Sequence, residues 1–341
     1  MNKKNILTLI SLVTLSIIII LFSSEARNGA VEGLALAENT IIPSLLPLLI
    51  IFYMIMKSSA KDIIAKSAGF ISTYIFNLPQ ITFPAILFGL VGGYPTGALL
   101  TNELLSGGEI DEKQARRLLR FNFCGGCGFI ITAVGSATMG SLKKGTILFL
   151  SNILSAITIG IILSFTEKRD YNKFYSFSEN KNISDILTDA TNSAVKSVLN
   201  ITAFIILFCA INNIINLPQS IMPFIEITSG ICGDDCKFSL PQISAYLSFG
   251  GICIHFQILQ CIGKAKMRYT DFLFFRIFSA LLSYCYTKLI LIIFPAQTAV
   301  FSNSATNVAQ FSSVNLLLSC LMVAGSFIFI ADLSSKKFKT N

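Results

Sequence analysis

Glu226, His255 and Arg276 stand inside strongly apolar stretches of this 341-residue chain. Ionisable groups in such surroundings are costly and in membrane proteins mark solute paths by default. Neutral hydrogen-bonding residues recur beside the same kind of punctuation. Tyr94 and Thr96 lie in Gly92-Gly93-Tyr94-Pro95-Thr96-Gly97, Asn122 precedes Cys124-Gly125-Gly126-Cys127, and Gln257 follows Gly250-Gly251 by six residues. Proline removes a backbone donor and glycine admits unusual dihedrals, so Gly92, Gly93, Pro95, Gly125, Gly126, Gly250 and Gly251 are expected to break helices. A helix that restarts after such a break offers free N–H groups and a positive dipole end, a ready seat for an anion. The chemistry expected of Tyr94, Thr96, Asn122, Glu226, His255, Gln257 and Arg276 is therefore recognition of a small organic anion. Competing structural readings are an interfacial Glu226, a packed and satisfied His255, and an Arg276 that snorkels to the membrane face.

No catalytic pattern accompanies these residues. His255 is the lone histidine, without a nucleophile at recognisable spacing, and no H-E-x-x-H or phosphate-loop string occurs. Neither enzyme activity, a cofactor nor a metal is expected. Cys124 and Cys127 form a C-x-x-C with no second pair of matching orientation, and read as small packing residues at a break. Cys232 and Cys236, in the string CGDDC, could geometrically form a disulfide.

The elements that must position these groups are membrane helices. With 53% hydrophobic and 13% charged residues and a mean hydropathy of +0.70, the chain is far more apolar than a soluble domain, where charged residues are about a quarter. Its partner is the lipid bilayer, and its net charge of +8 reports orientation rather than nucleic-acid binding. Clear spans are expected at residues 6–22, 41–56, 145–165, 198–215, 272–294 and 314–330, with broken apolar regions at 81–100, 123–139 and 240–262. The first apolar run follows Lys3 and Lys4 and is read as an uncleaved helix. Most Lys and Arg residues fall on one side if both termini are cytoplasmic, which gives about eight crossings.

The pattern N-L-P-Q-x-x-x-P-x-I occurs at residues 77–86 and again at 216–225. FCGGCGF at 123–129 is echoed by SFGGICIHF at 248–256, and NILSA at 152–156 by RIFSA at 276–280. The offset falls from 139 to 125 and then 124, which assigns the first copy an insertion over 104–122. The fold expected is an all-α polytopic membrane protein with two inverted-topology repeats, each carrying a Pro/Gly-broken re-entrant hairpin, as secondary transporters do. Its parts are a first helix and outside loop at 1–33, repeat 1 at 34–166, a cytoplasmic linker at 167–190, repeat 2 at 191–294, and an outside loop, last helix and basic tail at 295–341.

GLVGGYPTGA at 89–98, the acidic-start helix ending in Phe121-Asn122, EITSG at 226–230 and FGGICIHFQ at 249–257 together resemble the YlbJ-type sporulation integral membrane proteins, a group within the nucleoside-recognition or gate-domain membrane proteins. The resemblance covers roughly residues 38–294. It implies a role in endospore formation, in the outer membrane around the forespore, with import of dipicolinic acid. Cys124-Gly-Gly-Cys127 departs from the Asn- and Pro-containing break of that group. Two other functions stay open: a nucleoside or nucleobase carrier, which would rely on Asn122, Gln257 and Glu226 rather than Arg276, and a non-transporting membrane scaffold. A homo-oligomer is compatible with any of them.

Overall fold

A computed structural model describes residues 3–166, 182–218, 220–232 and 238–294, and among these every regular element is helical. The chain opens with α1 (Lys3–Leu21) and α2 (Ser23–Leu36), which passes through a π-turn (Ala37–Ile41) into α3 (Ile42–Met56). Residues 23–33, expected as an outside loop, are therefore helix, and Ser23–Met56 is one apolar span of 34 residues. Next come α4 (Ala60–Ala68), α5 (Phe70–Phe76), α6 (Phe83–Gly92), α7 (Thr96–Ser106), α8 (Glu112–Phe121), a π-helix (Gly128–Thr138) and α9 (Leu142–Thr166). The remainder is α10 (Ile183–Ile215), the short α11 (Met222–Ile225) and α12 (Ile227–Cys232), then α13 (Leu240–Phe249), α14 (Gly251–Lys264) and α15 (Tyr269–Ile293).

Among the described residues, five helical stretches are long and apolar enough to cross a bilayer: Ser23–Met56, Leu142–Thr166, Ile183–Ile215, Leu240–Lys264 and Tyr269–Ile293. A sixth arises if Phe70–Phe76 and Gln80–Gly92, bent by 101°, count as one broken span. The apolar part of α1, Thr8–Leu21, is shorter. The expected loop at 295–313, the span at 314–330 and Cys236 lie outside the described residues.

The twice-repeated Asn-Leu-Pro string has a local cause. Asn77 ends α5 and Asn216 ends α10, both in the left-handed region with φ of 54° and 49°. Asparagine tolerates that conformation better than other side chains, and the proline two residues on cannot continue a helix. Two ten-residue helices share a second device. α8 starts at an Asp111–Gln114 capping box and α13 at a Ser239–Gln242 capping box; each is ten residues long and runs into a glycine-containing break. Thus α8, which the offset change assigns to an insertion, has a counterpart in form and order in α13.

Packing is closest where side chains are small. Gly29 and Gly33 of α2 form a G-x-x-x-G whose added Cβ atoms would collide with the backbone of α10 at Cys209 and Ile206. Small residues of this spacing let membrane helices approach until their backbones touch. At the centre α9, α13 and α15 are joined by hydroxyls: Ser155 Oγ donates to Ser279 O at 2.8 Å, and Ser244 Oγ lies 2.6 Å from Ser283 Oγ. Asn152 Nδ2 donates to Ser283 Oγ at 3.2 Å. At one end of the bundle α8 is fastened to the α14–α15 turn by Arg120 on Asp271 at 2.7 Å, Lys266 on Glu112 at 2.7 Å, and Arg116 Nη1 donating to Ala265 O at 3.0 Å.

Candidate functional site

Two pairs of backbone breaks cross inside the bundle. In the first, Gly93 separates α6 from α7 with φ of 82°, and a Cβ there would collide with Gly126 in the break that follows α8. Tyr94 N–H donates to Cys124 O at 2.7 Å across the crossing, and the Tyr94–Pro95 peptide is cis. In the second, Gly250 and Gly251 have φ of 91° and 67°, and a Cβ on Gly251 would sit 3.4 Å from Ile225 O and Ile227 N in the break between α11 and α12. Irregular backbone at membrane depth persists only where protein or a cavity takes up its freed groups. Both crossings meet that condition.

A cavity of about 60 Å³ lies against these breaks, lined by Gly92, Tyr94, Gly126 and Gly128 from one side and Glu226, Thr228 and Gln257 from the other. Ser44 adds a hydroxyl, and the remaining wall is apolar, with Leu45, Phe129, Ile205 and Ile254 among it. The Tyr94 hydroxyl and the Gln257 Oε1 are buried without a hydrogen-bond partner. Glu226 is 1% exposed, and its carboxylate accepts from the N–H groups of Thr228 (3.0 Å) and Ser229 (2.6 Å). The start of α12 is thus already occupied by the chain's own carboxylate. Among the described residues, no Lys, Arg or His lines this cavity.

Of the residues singled out by sequence, Tyr94, Glu226 and Gln257 come together here, with Gly92 and Gly126; the others do not reach the cavity. Asn122 fills the gap left by Gly89 and Gly97, its Nδ2 donating to Ala85 O at 2.9 Å, and so clasps α6 to α7. Thr96 is fully buried at the start of α7, its N–H donating to Gly93 O at 2.8 Å. His255 is fully buried among Phe123, Phe249 and Phe272. Its Nε2–H donates to Phe249 O at 3.0 Å, since a carbonyl can only accept, which leaves Nδ1 to accept from Tyr269 Oη at 3.1 Å.

Arg276 does not snorkel. It is 0% exposed, donates from Nη1 to Phe123 O at 2.7 Å and from Nη2 to Arg120 O, and stacks 4.6 Å from the Phe123 ring centroid. It therefore sits at the C-terminal end of α8, where a cation complements the helix dipole, and holds the first break in shape. Sequence reasoning missed Ser44 and Thr228 as lining residues. Nothing local in the sequence distinguishes either.

These features define a polytopic α-helical membrane protein built around interrupted helices. The chain is similar to the sporulation integral membrane protein YlbJ of Bacillus subtilis (strain 168), with 25% identity over 207 residues, or 55% of this chain and 51% of that one. The match thus spans about half the length of the relative. No family model matches the chain, and no solved structure does.

Proposed function

We propose that the chain is a secondary carrier of a small organic anion during endospore formation, dipicolinate first among candidates, with the cavity between the crossed breaks as its solute site. The observation that carries this reading is the cavity itself: two interrupted crossings meet around it, and Tyr94 Oη and Gln257 Oε1 face burial unpaired. Unpaired buried groups cost about 1–3 kcal/mol each, a cost that a bound solute would offset. The apolar walls, Phe129 among them, suit a flat ring, and the sporulation relative supplies the setting.

The carrier reading includes two halves of inverted topology, for which the contacts give support. Ser155 and Ser279 occupy matching positions in NILSA and RIFSA and touch each other, as residues at a two-fold axis must. Asn152 and Arg276 also match, and each reaches into the opposite half, Asn152 to Ser244 of α13 and Arg276 to Arg120 O of α8.

A second reading, a nucleoside or nucleobase carrier, is favoured by one specific feature, the lack of any cationic side chain in the cavity lining. Uptake into proteoliposomes separates the two. Purified protein should accumulate labelled dipicolinate, and excess unlabelled dipicolinate, but not uridine or adenine, should abolish that uptake. The reverse competition pattern would establish the second reading, and no uptake of either class would end the carrier proposal.

A further inference from the structure

A second cavity, of about 400 Å³, differs in chemistry: Glu25, Glu32, Asn212, Asn213, Asn216 and Ser229 line it, and among the described residues no Lys, Arg or His does. Asn212 is 3% exposed, and neither its Oδ1 nor its Nδ2 has a hydrogen-bond partner. A buried carboxamide with both ends unpaired is costly without a ligand. Glu25 and Glu32 stand two turns apart on α2, about 10 Å along the axis, too far to grip one ion together. They instead give the cavity mouth a negative potential that concentrates cations.

We propose that this cavity binds a small monovalent cation, sodium in size and hardness, with Asn212 Oδ1 as the inner ligand and the Glu32 carboxylate as the compensating charge. Amide, hydroxyl and carboxylate oxygens are the donors that hard cations take, and a lining without positive side chains leaves nothing to repel one. The site also has a physical link to the solute cavity. Ser229 lines the second cavity, while its N–H donates to Glu226 Oε2 at 2.6 Å, and Glu226 lines the first. One residue therefore separates the cation from the carboxylate beside the solute, so an arriving cation offsets charge next to an arriving anion. That coupling rests on the carrier reading; cation binding does not.

The test uses the purified full chain in detergent with no organic solute present, melted in sodium chloride and in choline chloride at equal ionic strength. A ligand that binds only the folded state raises the melting temperature in step with its concentration. Sodium should do so saturably and choline should not, and the half-saturating concentration should rise at least tenfold in Asn212→Leu. Should that variant fail to fold, Glu32→Gln carries the test, with an expected rise of severalfold. No sodium effect, which would indicate a vestibule filled by water only, an equal effect of choline, or an unchanged half-saturating concentration in a folded variant would each overturn the proposal. The two readings fail separately. Sodium stabilisation without uptake of any solute would remove the carrier and keep the site, whereas uptake without a sodium effect would do the opposite.

Discussion

His255 shows how a residue type can suggest chemistry that its surroundings deny. Its two ring nitrogens are both paired and its faces are covered by aromatic rings, so it acts as a strut between the second break and α15. Replacing it with alanine should cost about 1–3 kcal/mol by leaving Phe249 O and Tyr269 Oη unpaired. Protein abundance and melting temperature should fall while uptake per folded molecule stays near wild type; a selective loss of uptake would return the histidine to the solute path. Arg276 was equally ambiguous by sequence, because its depth in α15 cannot be told from spacing alone. The carbonyls it binds belong to residues over 150 positions away, which no local pattern could reveal. Asn77 and Asn216 were legible as a repeat, yet their left-handed conformation was not inferred. Glycine at Asn216 should keep or raise stability, whereas Asn216→Val should lose about 1–2 kcal/mol, the cost of that conformation for an ordinary side chain. Equal melting temperatures for Asn216→Gly and Asn216→Val would contradict the assignment.

At the scale of elements, apolar runs predicted the long helices well because burial in lipid needs length and little else. They predicted less well where helix continues through polar residues. Residues 23–33 contain Glu25, Arg27, Asn28 and Glu32 and read as a loop, but the glycine spacing that seats α2 on α10 keeps them helical. That spacing yields a graded expectation. Gly33→Leu should prevent close approach and sharply lower the yield of folded protein, while an exposed neighbour such as Leu34→Ala should be tolerated; equal behaviour of the two would mean that α2 and α10 do not pack by their backbones. The turn between α7 and α8 offers a pH test. Burial pushes the Glu109 carboxyl above the usual range, with Lys61, 2.5 Å away, opposing the shift. A raised folded-state pKa contributes stability in acid that is lost as pH rises through it. Wild type should therefore lose melting temperature relative to Glu109→Gln as pH rises from acid to neutral, and parallel profiles would show that Glu109 is not perturbed.

For the whole molecule, the Gly- and Pro-containing strings made the breaks legible, and breaks from both parts of the chain line a shared cavity. What could not be read was which polar residue would end inside it, since Tyr94 and Thr96 share one break yet only Tyr94 reaches the cavity. If the two halves are inverted as proposed, cysteines introduced beside Asn77 and Asn216 should be labelled from opposite faces of the membrane, and labelling of both from one face would contradict that arrangement. The central claim is that the solute passes through the cavity shared by the two sets of breaks. Its most direct test is the initial rate of dipicolinate uptake into proteoliposomes, per folded molecule, for Gln257→Leu and Tyr94→Phe alongside His255→Gln. Uptake should fall at least tenfold for the first two, whose groups face the cavity, and stay near wild type for the third. Near wild-type uptake for both cavity variants, with loss confined to His255→Gln, would contradict it.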